Sequence, residues 1–418
     1  MPKISRIYAH EILDSRATPT VEAVVILDGG SYGVSSVPSG SSTGSYEASE
    51  LRDGDANRYL GKGVLKAVSN INNDISKSLS GSDVSSITEF DQKLLALDGT
   101  ANKTKLGANA ILGVSMAMTK ALAMSEHLSL YRYIAKIAGN TNKLYIPDPV
   151  FNMINGGKHG AGNLDFQEFH VIPGNMGSFS AQLQVGAEIY QTIKKLLARR
   201  GAIHSVGDEG GFAPNLFTNL DALEILNESI LEVHHKPGVD VDLGLDVASN
   251  SFWADGKFTI KDRSNPMDTG EFIEYLRDLN SQYHLRLLED PLNEDDWRGW
   301  SSITQELGAV TTIVGDDLLV TNKERVKKAI TEKACTAVLI KPNQIGTVSE
   351  TIDVVKLART ANWKVNVSHR SGETTDTFIA DFAVGVGSDY AKFGAPARGE
   401  RVCKYNRFLS IETELAQS

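Results

Sequence analysis

Short runs rich in apolar and β-branched residues, separated by turn signals, occupy the first forty positions of the chain. RIYAHEIL, TVEAVVIL and SYGVSSV read as strands, and Asp28-Gly29-Gly30 stands between the last two as a turn signal. This pattern predicts an antiparallel meander. Beyond it the pattern changes. In LGANAILGVSMAMTKALAMSEHLSLYRYIAKIAG, small and apolar residues recur at helical spacing as far as Gly139, where a helix is expected to stop. Residues 1–138 therefore read as an N-terminal α+β domain.

From residue 139 to 418 a second pattern takes over. Short apolar runs end in a polar residue and are followed by a helical segment: VDLGLDVAS, LRLLEDP, TIVGDDL, TAVLIKPNQIG, KVNVSHRSG and YAKFGAPARG. Their terminal polar residues are Asp246, Glu289, Asp316, Lys341, His369 and Lys392. From Asp316 onward the spacing is that of one strand plus one helix. Successive βα units with functional side chains at the strand C-termini describe a closed TIM-like (β/α) barrel, whose active site lies at that face. An open doubly wound sheet is the competing arrangement, but it would gather its ligand at one switch point, usually after a Gly-rich first turn. Polar residues ending strand after strand favour the barrel. The fold class is α/β, a C-terminal barrel joined to an N-terminal α+β domain.

Composition narrows the function classes. The chain has 418 residues, 41% hydrophobic and 22% charged, and carries a net charge of −10. That charge repels polyanions, and with no local basic patch in the sequence, nucleic acid is not an expected partner. No stretch approaches the roughly 20 apolar residues needed to span a bilayer, and MPKISRIYAHEILDSR lacks the apolar core of a secretion signal. A cytoplasmic location is expected. Cys335 and Cys403 have neither metal-ligand spacing nor a disulfide framework, so both are expected to be reduced.

Several residues can carry chemistry. Asp246, Glu289 and Asp316, converging at neighbouring strand ends, would offer three hard oxygen ligands and so select Mg²⁺ over Zn²⁺. Lys341 leaves a buried strand towards those acids and Lys392; desolvation and nearby cations lower a lysine pKa, which would make it a general base. Ser368-His369-Arg370-Ser371-Gly372 puts a guanidinium fork, a hydroxyl and backbone amides at one strand end, a suitable phosphate site. Glu209, in Gly207-Asp208-Glu209-Gly210-Gly211, is flanked by glycines that let another molecule approach, and a desolvated Glu there could stay protonated as a general acid. Asn155-Gly156-Gly157-Lys158-His159 and Gln167-Glu168 make a similar pair of polar sites. Pro38-Ser39-Gly40-Ser41-Ser42-Thr43-Gly44, small and polar, is a candidate lid. Each has a plainer alternative: a solvated acidic loop for Glu289-Asp290 and Glu294-Asp295-Asp296, an ion-paired structural lysine for Lys341, ordinary turns for the glycine loops, and a linker for the lid.

Taken together, EILDSRATPTVEA, VPSGSSTG, ELRDGD, GANAILGVSMA, Gln167-Glu168-Phe169, VGDEGGFAPN, GLDVAS, EDPLNEDDW, VGDDLLVTN, IKPNQIGT, SHRSGETTDTFIAD and GAPARGERVCKYN resemble the enolase family, from about Ile4 to Leu409. The resemblance implies a barrel that begins with two strands and two helices before regular alternation. It also implies a lyase that reversibly dehydrates 2-phosphoglycerate to phosphoenolpyruvate in glycolysis and gluconeogenesis, with two Mg²⁺ per active site, the second arriving with substrate. Carried over, Asp246, Glu289 and Asp316 resemble the ligands of the first ion and Ser42 that of the second. Lys341 resembles the base at C2, Glu209 the acid at the C3 hydroxyl, and Glu168 its positioning partner. Arg370 and Ser371 resemble a phosphate clamp and Lys392 a carboxylate contact; His159, Gln167 and His369 complete the substrate pocket.

The chain departs from the family in places. Ala17 and Thr18 stand where Gly and Asn are usual, and Lys158 precedes His159 where a small or neutral residue is common. Lys158 would suit a more anionic substrate, so a paralogue acting on a related phospho- or phosphono-acid is the alternative enzyme. A homodimer is expected, although His10, Ser410 and Thr413 replace charged partners at the family's dimer interface while Glu22 is retained. A surface or scaffold binding role is the alternative of another class; the chain lacks the C-terminal lysine commonly used for it and ends Ala-Gln-Ser.

Overall fold

The computed structural model describes residues 1–40, 46–160 and 164–417. The expected meander is present. Strands β1 (Ile4–Leu13), β2 (Pro19–Leu27) and β3 (Tyr32–Ser36) form an antiparallel sheet in that order. Its inner face, with Val21, Ala23 and Val25 fully buried, packs on the helix Ala108–Ser125. Gly33 permits that approach: a Cβ there would lie 2.0 Å from the Ala117 carbonyl oxygen. The apolar run that follows is two helices rather than one. His127 adopts φ 55 and Leu128 bonds back to Ala123, so the chain turns before the helix Leu130–Ala138. Gly139, at φ 68, ends that second helix as expected.

The remainder forms a ring. β4 (Asp148–Pro149), β5 (Phe151–Asn155), β6 (Glu168–Pro173) and β7 (Val241–Asp246) come first, with two helices, Phe179–Arg199 and Asn219–Glu232, between β6 and β7. A short hairpin of β8 (Trp253–Ala254) and β9 (Lys257–Phe258) stands apart. Then β10 (Leu285–Glu289), β11 (Thr312–Gly315), β12 (Ala337–Ile340), β13 (Lys364–Ser368) and β14 (Tyr390–Lys392) alternate with helices. The sheet order is β4-β14-β13-β12-β11-β10-β7-β6-β5. β4 and β5 are successive parts of one extended segment, which pairs with β14 at its start and β6 at its end, so it closes the barrel. β6 runs antiparallel to both neighbours and every later pair is parallel. The barrel thus has the irregular two-strand, two-helix start that the resemblance implied.

An apolar cluster drawn from staves around the ring, including Val150, Ile172, Leu287, Val314, Leu339 and Tyr390, plugs its interior. Other strand residues, such as Leu243, Leu245 and Ile313, belong to a separate core shared with the helices. The polar rim therefore stands on a closed apolar floor.

Two seams join the meander domain to the barrel. Ser39 and Gly372 exchange backbone hydrogen bonds of 2.8 and 2.9 Å, Ser15 N–H donates to the Glu373 carbonyl, and Lys120 pairs with Asp376 at 2.8 Å. These contacts hold residues 38–40 beside the rim. At the second seam, the Ser115 hydroxyl accepts from Val348 N–H at 3.0 Å, and Asp91, on the helix Ile87–Asp98, accepts from Ser349 N–H at 2.9 Å. Both bonds satisfy otherwise orphaned donors at the start of the barrel helix Val348–Thr360. Among the described residues, no helix is long and apolar enough to cross a membrane.

Candidate active site

Strand direction brings the polar residues to one rim. Asp246, Glu289 and Lys392 end β7, β10 and β14, while Asp316, Lys341 and His369 immediately follow β11, β12 and β13. Glu168 reaches the same rim from the opposite sense, because β6 is antiparallel and begins there, in register with Asp246. A single cavity is lined by Lys158, Glu209, Asp246, Asp316, Lys341 and Arg370, together with other rim residues.

Lys392 organises one side of this cavity. Its ammonium donates to Asp246 Oδ2 at 3.0 Å and Glu289 Oε1 at 2.9 Å and forms an ion pair with Glu168 Oε2 at 3.2 Å, so three buried carboxylates share it. Burial opposes its charge, but Asp246, Glu168 and Glu289 outweigh that and hold its pKa well above the usual lysine value. Glu168 also meets His170 Nε2 at 2.9 Å and His159 Nδ1 at 3.3 Å. Burial and the nearby Glu209 favour its neutral form; Lys392, His159 and His170 overcome both and keep it ionised. Gln167 Nε2 donates to Asp246 Oδ2 at 3.2 Å.

Two expected charge states are corrected by the geometry. Lys341 was expected to have a lowered pKa, and burial does act that way. Asp316 Oδ2, 2.5 Å from its ammonium, more than compensates, so the pKa is raised. Glu209 was expected to stay protonated. Burial again favours the neutral acid, but His159 and His369, with Arg401 behind, hold its carboxyl well below the usual range. His159 Nδ1 and His369 Nε2 lie 3.5 and 3.3 Å from it, and Asn152 Nδ2 and the Ser371 hydroxyl each donate to it at 3.1 Å. The glycines around Glu209 allow the close fit: a Cβ on Gly211 would fall 2.3 Å from Asn155 Oδ1, and Gly210 adopts φ 87.

Arg370 and Ser371 sit together, as their sequence adjacency requires, but both are engaged. The Arg370 guanidinium donates to Glu47 Oε2 and Asn343 Oδ1 at 3.0 Å each, and the Ser371 hydroxyl also meets His159 Nε2 at 3.2 Å. Lys158 is exposed at the cavity mouth. Ser42 lies outside the described residues.

Sequence reasoning missed four participants. Asp290 is not part of a solvated loop: it is 4% exposed, adopts φ 41, and accepts the backbone N–H groups of Asp316 and Asp317 at 2.9 and 2.8 Å. Its adjacency to Glu289 was the available signal. Gln344, fully buried, donates to Asp316 Oδ1 at 3.1 Å while its own oxygen accepts from Thr321. Glu47 and Arg401 lie within or beside family segments, yet nothing in their local pattern marks them as buried against the rim.

The rim fits a divalent cation. Glu289 Oε2 is buried with no hydrogen-bond partner among the described residues. Burial, and then the neighbouring Asp246 and Asp316, drive the Glu289 carboxyl well above its normal range, a sign of local positive charge in deficit. Among the described residues, ligand-type atoms converge tightly at His159, Glu168 and Glu209 and at Asp290, Asp316 and Asp317; Asp246 and Glu289 belong to neither group, and Lys392 lies between them. The strand-end donors Asp246, Glu289 and Asp316 are all carboxylate oxygens, the chemistry of a hard ion.

Comparison with known families accounts for nearly the whole chain. Residues 4–134 match the model described as "Enolase, N-terminal domain", and residues 143–418 match "Enolase, C-terminal TIM barrel domain".

Proposed function

Since the chain belongs to the enolase family and is a lyase of the enolase superfamily, we propose that it catalyses the reversible, Mg²⁺-dependent dehydration of 2-phosphoglycerate to phosphoenolpyruvate. The observation carrying this reading is the single cavity that gathers Lys341, Glu209, Asp246 and Asp316 with the cations Arg370 and Lys392. Asp246, Glu289 and Asp316 would hold one magnesium ion and Ser42 a second that arrives with substrate. Bound there, the ions supply positive charge that stabilises charge building on the substrate carboxylate.

Lys341 removes the C2 proton, so it must first be unprotonated. Its salt bridge to Asp316 works against this, while Arg370 and Lys392 work for it; a cation held by Asp316 would weaken that salt bridge and favour the neutral amine. Glu209 then gives a proton to the C3 hydroxyl, which leaves as water. In the free chain Glu209 is ionised, the form required for the reverse hydration, and an anionic substrate arriving beside it and Glu168 raises its pKa for the forward step. Glu168 positions Glu209 through the shared His159. Arg370 and Ser371 take the phosphate, Lys392 the carboxylate, and Gln167, His159 and His369 shape the pocket. Membership of the family supports a place in glycolysis and gluconeogenesis and a homodimer, and a cytoplasmic location is part of the same proposal.

A more anionic phospho- or phosphono-acid is the second reading, favoured by exposed Lys158 at the mouth. The test is phosphoenolpyruvate absorbance on adding 2-phosphoglycerate, with and without Mg²⁺, for the native chain and Lys341→Ala. Magnesium-dependent formation that the substitution abolishes is expected. No turnover by the folded native chain refutes the primary reading.

A further inference from the structure

Arg401 is a charged residue with no exposure, in the helix Gly399–Ala416 at the back of the site. Its guanidinium spans two loops. One nitrogen donates to the Arg370 carbonyl at 2.7 Å and lies 2.7 Å from His369 Nδ1; the other donates to the carbonyls of Asp208 at 3.0 Å and Ser371 at 2.5 Å. It therefore ties the loop carrying Glu209 to the loop carrying His369, Arg370 and Ser371.

The contact with His369 has a chemical consequence. A guanidinium has donors and no acceptor, and it does not lose its proton in a protein. His369 Nδ1 must accept, so it carries no hydrogen. The ring hydrogen of the neutral imidazole is then on Nε2, the nitrogen 3.3 Å from Glu209 Oε2, close to that oxygen but without hydrogen-bond geometry towards it in this structure. Burial, with Arg401, lowers the His369 pKa despite the opposing pull of Glu209, consistent with a neutral ring. The backbone around the pair supports the same arrangement. Gly394, at φ 81, has no room for a Cβ, which would lie 2.6 Å from the Glu209 carbonyl oxygen, 3.0 Å from His369 Cε1 and 3.1 Å from Arg401 Cδ. Only glycine lets these three groups close on one another.

We propose that Arg401 is a positioning residue that fixes His369 as the tautomer bearing hydrogen on Nε2, so that the ring presents a donor, not an acceptor, on the side of the Glu209 carboxylate and donates to it once a small shift aligns the two. The step from tautomer to catalysis rests on Glu209 being the acid that serves the C3 hydroxyl; the tautomer itself does not. An orienting group of this kind governs whether the neighbouring imidazole presents a donor or an acceptor, and the wrong tautomer disables a site whose geometry is otherwise intact.

The experiment uses the full chain labelled with ¹⁵N-histidine, with His369 identified by the signals lost in His369→Gln. At pH 7 the native chain is expected to show His369 with a protonated Nε2 and an unprotonated Nδ1. Arg401→Met should abolish that fixed pattern, Arg401→Lys, which keeps a donor, should retain it at least in part, and Arg401→Leu, which also has no donor, stands in if the Met variant fails to fold. A native ring protonated on Nδ1, or a pattern unchanged in the folded Met or Leu variant, overturns the proposal. With 2-phosphoglycerate, the Met or Leu variant should lose about a hundredfold in kcat while KM moves less than about threefold; equal losses in both parameters refute the positioning role. If the native chain turns over no 2-phosphoglycerate, the functional reading fails while the tautomer measurement still decides the assignment.

Discussion

Asp91→Asn should stabilise the chain at alkaline pH and leave it unchanged, or slightly weakened, near pH 4. Asp91 is fully buried at the seam between the domains; Oδ2 accepts from Ser349 N–H and Oδ1 has no partner among the described residues. Burial pushes its pKa from 3.8 up to about 6, against the lowering effect of Ser115 and Ser349. The folded chain thus binds this proton more tightly than the unfolded chain. Its stabilising effect is complete below pH 3.8 and is lost as pH rises through about 6. A difference of about 2 pH units corresponds to about 3 kcal/mol. Asn retains the acceptor for Ser349 N–H but places an amide NH2 where Oδ1 has no partner among the described residues, a loss of about 1 kcal/mol. The net expectation at pH 8 is a gain of about 2 kcal/mol. Urea unfolding of both chains from pH 4 to 8 reads the difference directly, with other titrating groups cancelling. A difference that stays flat with pH, or a variant less stable at pH 8, refutes the reasoning.

Ala17 occupies φ 55 in the turn between β1 and β2, so Ala17→Gly should gain about 1 kcal/mol in denaturant unfolding; a loss would show that the turn is unstrained. Lys392→Met leaves Glu168, Asp246 and Glu289 without their shared cation and should cost about 3 to 5 kcal/mol near neutral pH. Lys392 holds down the pKa of both Glu168 and Glu289, so without it they take up protons more readily and the deficit should shrink at lower pH; melting curves at pH 5 and 8 that show equal losses would contradict this. Magnesium at a hundred times its dissociation constant should stabilise the native chain by about 2.7 kcal/mol, read as a thermal shift reversed by chelation. Glu289→Gln should remove most of that shift, and an undiminished shift would place the ion elsewhere.

Much of the architecture was written in local patterns. The meander declares itself by strand-like runs around turn signals such as Asp28-Gly29-Gly30, and the barrel by polar residues that end one short apolar run after another. The break at His127 was not visible, because the residues around it keep a pattern compatible with a continuous helix and the turn depends on packing. Charge states were less legible than positions. Lys341 and Glu209 have ionisation set by Asp316, His159 and His369, partners that arrive from other staves. Asp290 shows the same limit at shorter range. Beside Glu289 in an acid-rich segment it resembles a surface residue, yet a left-handed backbone turns it inward to the amides of the next stave. Within the meander, His10 of β1 pairs with Glu22 of β2 at 3.2 Å, while in the helix Gly399–Ala416 the hydroxyls of Ser410 and Thr413 bond their own backbone.

The segment that closes the ring also fixes the order in which the protein can become whole during synthesis. β4 must wait for β14, which emerges from the ribosome only after more than half the chain has followed it. The last stave also brings Lys392, the cation shared by Glu168, Asp246 and Glu289 on staves made much earlier. A nascent chain stopped before Tyr390 would hold these carboxylates without that partner, with the barrel open along one edge. Completion of translation is therefore coupled to charge neutralisation at the rim, and chains released early lack both the closing strand and the charge needed to bury the acids.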